Sequence, residues 1–175
     1  MVSFPDLTTI TNDALGLSTG NGFKLRRYDG GSNSYKKGDD GNMSLTQGAG
    51  YWLKVDDTNK INGLSYPLNQ TSSTEVSTTK GWNLLGNPYQ SDLPLSNLSV
   101  KYKDGTTRSY ADAIARKDVS GYGWSYEGSE KKYYFIAIDP NKYKTTAPKN
   151  TVIKPFRGFW MIVKSDQISG VILIK

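Results

Sequence analysis

The stretch Gly50-Tyr51-Trp52-Leu53-Lys54-Val55 returns further along the chain as Gly158-Phe159-Trp160-Met161-Ile162-Val163. A repeated segment constrains a chain more than its composition does, because each copy is expected to fold as the same supersecondary unit. Aligning the two stretches brings further anchors into register. Leu45 falls on Ile153 without a gap, and Ile61-Asn62-Gly63-Leu64 falls on Ile168-Ser169-Gly170-Val171 with a one-residue adjustment. Tyr28-Asp29-Gly30 and Tyr35 match Tyr126-Glu127-Gly128 and Tyr133, Asp13-Ala14 matches Asp112-Ala113, and Val2-Ser3-Phe4-Pro5 matches Leu85-Gly86-Asn87-Pro88. The anchors keep one order, which points to an internal duplication.

Each copy reads as an opening strand that ends at a proline, then a short helical turn. The turn falls around Asn12–Leu15 and, more clearly, around Ser109–Lys117. A hairpin follows (Phe23–Tyr28 with Tyr35; Gly123–Tyr126 with Phe135–Ile138), turning at Asp29-Gly30-Gly31 and Glu127-Gly128-Ser129. The Gly-aromatic-Trp strand and a closing strand (Leu64–Leu68; Val171–Ile174) complete the unit. The expected fold is all-β: a duplicated antiparallel β-sandwich or barrel-like repeat with one short helix in the second copy. Residues 1–68 form copy one, residues 69–80 a polar connector and residues 81–175 copy two. A lone copy has few core positions, so two separate domains and one merged core are both open.

Gly, Ser, Thr, Asn and Tyr are frequent, a palette that suits strands joined by turns. The chain has neither cysteine nor histidine. Disulfides, thiolate metal sites, the Ser-His-Asp triad and the usual zinc ligands are therefore excluded. No apolar run reaches the roughly 18–20 residues that span a bilayer. The opening directly in a strand is what a fragment of a longer protein would show. Net charge is +6, unevenly placed: residues 1–75 hold 7 Lys/Arg against 8 Asp/Glu, and residues 76–175 hold 15 against 8. Copy two has two insertions, between Pro88 and Asp112 and between Tyr133 and Ile153, which contain Lys101, Lys103, Arg108, Lys142, Lys144 and Lys149. They read as basic loops, where function is commonly grafted.

The order GWNLLGNPY (Gly81–Tyr89), Tyr-Asp-Gly hairpin and Gly-Tyr-Trp strand resembles the repeat modules of large secreted and surface proteins of bacteria. The likeness runs over nearly the whole chain; copy one lacks the opening Trp-Asn. It implies a non-catalytic β module outside the cell or on its surface, joined to other domains of a larger parent protein.

Strand alternation puts Tyr51, Leu53 and Val55 on one face, and Phe159, Met161 and Val163 on the matching one; these faces are the expected core. Trp52 and Trp160 face the other way and, being common to both copies, are expected to pack as scaffold. Trp82 is expected in the core as well. The position of Trp124 is held by Arg26 in copy one, so it is not deep core, since an unpaired buried charge is costly. Trp124 and Tyr126, flanked by Tyr122 and Tyr133, form the expected ligand platform, with Lys131 and Lys132 reaching hydroxyls or acidic groups. Flat aromatic faces suit stacking on sugar rings; packing as cross-strand pairs is the competing account. The expected partner is a polysaccharide or glycan surface, and the rival reading is an adhesive module acting through chain–chain assembly.

The acidic turns Asp39–Asn42 and Asp56–Asn59 lack the alternating spacing of a calcium loop, so turn chemistry accounts for them; structural calcium is the alternative, and no other cofactor or metal is expected. Gly16–Gly22 lacks the P-loop lysine arrangement. The basic insertions carry interleaved tyrosines but no nucleic-acid signature, so nucleic acid is not the expected partner. No set of residues converges on a reaction, and the chain is read as a non-enzyme, with a carboxylate-based glycosidase, which needs no histidine, as the alternative.

Overall fold

A computed structural model describes residues 1–3, 24–38, 43, 45–54 and 73–175. The helical turn at Asn12–Leu15, the closing strand at Leu64–Leu68, and the Gly16–Gly22, Asp39–Asn42 and Asp56–Asn59 segments lie outside them.

The described residues form an all-β fold with one short α-helix. The strands of the first half are β1 (Val2–Ser3), β2 (Lys24–Asp29), β3 (Ser34–Lys37) and β4 (Gly50–Lys54). They make one antiparallel sheet in the order β1-β4-β2-β3. After β5 (Ser73–Ser77) come β6 (Gly81–Gly86), β7 (Leu93–Pro94), a 3-10 turn (Leu95–Asn97), β8 (Leu98–Tyr102) and β9 (Thr107–Ser109). Helix α1 (Tyr110–Ala115) leads into β10 (Val119–Glu127) and β11 (Lys132–Ala137). The last strands are β12 (Lys149–Asn150), β13 (Val152–Ile153), β14 (Gly158–Val163) and β15 (Ile168–Ile174). A second sheet has the order β12-β11-β10-β14-β6, a third the order β5-β15-β8-β9, and β13 pairs with β7.

The first two sheets agree in register at the aligned positions. Val2 faces Tyr51 and Ser3 faces Gly50, as Leu85 faces Phe159 and Gly86 faces Gly158. Arg26 faces Trp52 as Trp124 faces Trp160, and Tyr28 faces Tyr35 as Tyr126 faces Tyr133. The hairpin loops agree too. Asp29 accepts from the backbone N–H of Gly31 at 3.1 Å, and Glu127 from that of Ser129 at 3.1 Å. Asn33 (φ 50°) and Lys131 (φ 54°) close the two loops in the left-handed region.

The second and third sheets pack into a sandwich. Leu85, Phe159, Met161, Val163 and Ile136 line one side of its core, and Leu98, Val100, Tyr102, Val171 and Leu173 the other. Alternation along β14 gives the expected result: Phe159, Met161 and Val163 are buried, and Trp160 and Ile162 half-buried on the reverse face.

The connector expectation is corrected at Ser73–Ser77. This segment is strand β5, antiparallel to β15, with Thr74 and Val76 buried on one face. Its polar composition fits an edge strand that shows only one side to the core. The first insertion is likewise no loop. It supplies Leu93, Leu95, Leu98, Val100 and Tyr102 to the core and builds β8 against β15. The helix is shorter than Ser109–Lys117. Ser109 caps it by accepting from Asp112 N at 3.1 Å, and Lys117 (φ 64°) ends it.

Asn87 explains the GNP sequence at the end of β6. It is fully buried; its amide donates to the carbonyls of Ser91 (2.8 Å) and Ile153 (2.9 Å), and its oxygen accepts from Tyr89 N (2.9 Å). Asn83 works similarly, closing the bend at residues 79–81 through Thr79 N, Thr79 O and Gly81 O. Copy one joins this framework at β6. Ala49 bridges Leu85, and Gly86 N donates to Gly48 O at 2.7 Å. Gly50 must be glycine here, since a Cβ would lie 2.3 Å from the Leu85 carbonyl oxygen.

Candidate functional site

The reverse faces of the first and second sheets meet through their aromatic side chains. Tyr28 of the first half lies edge-on to Trp160 of the second, with ring centroids 4.8 Å apart. At the matching positions Tyr126 of the second half contacts Trp52 of the first, at 5.2 Å. The exchange is reciprocal, as at an isologous twofold contact. Within each half the hairpin pair adds its own contact, Tyr28–Tyr35 at 5.4 Å and Tyr126–Tyr133 at 5.0 Å.

Between these faces lies an open cavity of about 430 Å³, lined by Tyr28, Tyr35, Trp52, Trp82, Trp124, Tyr133 and Trp160. Every lining residue is aromatic, and all four tryptophans of the chain are among them. The volume falls in the range of small-ligand sites, roughly 300–1,000 Å³. Tyr35 (48% exposed), Tyr133 (46%) and Trp82 (39%) present their rings to solvent. Trp82 stands T-shaped to Trp160 at 6.2 Å, and Trp124 T-shaped to Phe135 at 5.2 Å.

Polar atoms at the site are phenol hydroxyls and indole N–H groups, which can address a polar ligand around a stacked ring. Tyr28 donates to Asn33 Oδ1. Burial raises the Tyr35 hydroxyl above the ordinary tyrosine range, against the opposing pull of the Trp52 indole N–H. Tyr133 is raised by burial and then by its neighbours Tyr35 and Tyr126. These phenols stay protonated at neutral pH and can donate hydrogen bonds.

The predicted platform residues divide. Trp124 and Tyr133 line the cavity. Tyr126 supports it from behind, between Trp52 and Tyr133. Tyr122 does not line it; its ring stacks on Phe135 (5.5 Å, 22°) and meets Tyr143. Lys131 sits in the hairpin loop, and Lys132, opposite Glu127, alternates to the face away from Tyr133. Trp82, expected in the core, is corrected to an exposed wall of the cavity: Asn83 and Leu85 take the inward positions of β6. Trp52 and Trp160 pack as expected and line the site as well. Tyr28, Tyr35, Trp52, Trp82 and Trp160 were not anticipated as site residues. The signal was present in the strand alternation that sets both tryptophans of the repeated strand on the non-core face.

Among the described residues no group of three acidic, His or Cys side chains is placed to hold a metal. None of their helices is long and apolar enough to cross a membrane. Compared with known protein families, curated proteins and solved structures, the chain matches none.

Proposed function

We propose that the chain is a non-catalytic module that binds polysaccharide in the aromatic cavity between its two halves. The observation that carries this is the all-aromatic lining, with three rings turned to solvent. Open aromatic walls with phenol and indole donors match the two faces of a sugar, an apolar C–H plane and a rim of hydroxyls. The shared strand registers and the reciprocal Tyr–Trp contacts support descent of both halves from one duplicated unit, with the site at their junction. The likeness to modules of bacterial surface proteins supports an extracellular or cell-surface setting. The module needs no bound metal for this task. Assembly through edge strands has weaker support: the exposed edge β3 carries Lys36 and Lys37, and edge lysines discourage strand addition.

Retention on insoluble cellulose, chitin and xylan tests the reading. The native chain is expected to be retained on at least one, and Trp124→Ala to weaken retention by about tenfold, the loss of one stacking face. Unchanged retention of that variant would contradict the assignment.

A further inference from the structure

The cavity has a wall from each half. Tyr28, Tyr35 and Trp52 come from the first sheet, and Trp82, Trp124, Tyr133 and Trp160 from the second. The walls touch where Tyr28 meets Trp160, at 4.8 Å. They open to solvent at Tyr35, Tyr133 and Trp82. Tyr35 and Tyr133 hold matching hairpin positions, one on each wall. Their phenols are close enough that Tyr35 helps to raise the Tyr133 hydroxyl. A matched pair of rings therefore frames the mouth, and a ligand that enters between them is touched from both sides.

Aromatic side chains carry their polar atoms, the phenol O–H and the indole N–H, at the ring edge, and their faces are apolar. A sugar lying between two such walls must show carbon to both. Its hydroxyls must lie near its own mean plane, where edge donors and water reach them. A hydroxyl or glycosidic oxygen standing perpendicular to the sugar ring would face an apolar surface. A polar group that loses water without gaining a partner is costly. This stereochemical demand is met when every hydroxyl and both linkages of the pyranose are equatorial, because both faces then carry axial C–H bonds alone. An axial glycosidic bond violates it at every residue and also curls the chain out of a flat ribbon.

We infer that the ligand is an equatorially linked pyranose chain, of the class that includes cellulose, xylan and chitin, held with one ring face on each wall. The inference rests on the polysaccharide reading above and specifies the stereochemistry of its ligand.

Calorimetric titration of the intact chain with cellohexaose, xylohexaose, chitohexaose and maltohexaose tests it. Cellohexaose and maltohexaose have the same composition and length and differ only in the configuration of the linkage. The tightest-binding of the three equatorial oligosaccharides is expected to exceed maltohexaose by about tenfold or more in affinity. Tyr35→Ala on the first wall and Trp82→Ala on the second should each weaken that binding by about tenfold. Both rings are exposed, and thermal melts check that each variant is folded; the linkage comparison uses the native chain and depends on neither. Maltohexaose bound as tightly as the best equatorial oligosaccharide, or more tightly, would overturn the stereochemical assignment while leaving glycan binding intact. A loss confined to one of two folded wall variants would overturn the two-faced contact. If none of the four sugars binds, the polysaccharide reading falls and this inference with it.

Discussion

Asn87 shows how much one side chain can fix. Its amide ties the end of β6 to Ser91 and to Ile153 of β13, so the strand's exit and the approach to β14 are held together. Asn87→Ala removes four hydrogen bonds at a site without solvent, three from its amide to the Ser91, Ile153 and Lys154 carbonyls and one from Tyr89 N. The expected cost is about 2–4 kcal/mol, since each buried unsatisfied group costs roughly 1–3 kcal/mol. Thermal melts should show a drop of about 4–16 °C, at the roughly 2–4 °C per kcal/mol typical of this size. A melt within a degree or so of the native one would contradict the role given to Asn87. Residue-level legibility was uneven for a related reason. The outward positions of β6 hold Trp82 and Leu84, and an inward position holds Asn83. Its place at the opening of a strand is what put Trp82 in the expected core. Asn83 is buried because backbone groups at Thr79 and Gly81 satisfy it, a turn contact that strand periodicity does not report.

At the scale of elements, Asp118 holds helix and sheet together. It accepts from the Tyr102 hydroxyl of β8 at 2.7 Å and from Arg116 Nε, just past α1, at 3.0 Å. The Tyr102 hydrogen bond and the Arg116 charge keep the Asp118 carboxyl below the usual carboxylate range, against the opposing effect of burial. A carboxyl lowered by folding stabilises fully above its unfolded value, about 3.9, and the contribution is lost as pH falls through the folded value. Stability measured by denaturant titration should therefore fall as pH drops below the unfolded carboxylate value, and less steeply in Asp118→Asn. Identical slopes would rule out this coupling. The hairpins, the Gly-aromatic-Trp strands and α1 were legible because their turn and alternation signals are local. Strand β5 was not: Ser73-Thr74-Glu75-Val76-Ser77 alternates in burial, but with only one aliphatic residue its pattern resembles a connector. The first insertion was misread because its charged residues drew more notice than Leu93, Leu95, Leu98 and Val100, which fill the sandwich core.

At the scale of the whole molecule, the cavity belongs to neither half alone. Alternation within one copy identifies the face carrying Trp52 or Trp160 but cannot say what lies opposite. The structure supplies that step: the two faces meet, and Tyr28, Trp52, Tyr126 and Trp160 interlock across the junction. Sequence alternation therefore pointed to Trp124 and Tyr133 but not to the rest of the lining, Tyr28, Tyr35 and Trp52 of the first half and Trp82 and Trp160 of the second. Because all four tryptophans line this cavity, their emission reports on it directly. The decisive measurement is titration of the intact chain with soluble oligosaccharides, acidic and neutral, followed by tryptophan emission. A saturable blue shift or quench is predicted with at least one of them; emission unmoved by every sugar would contradict the account.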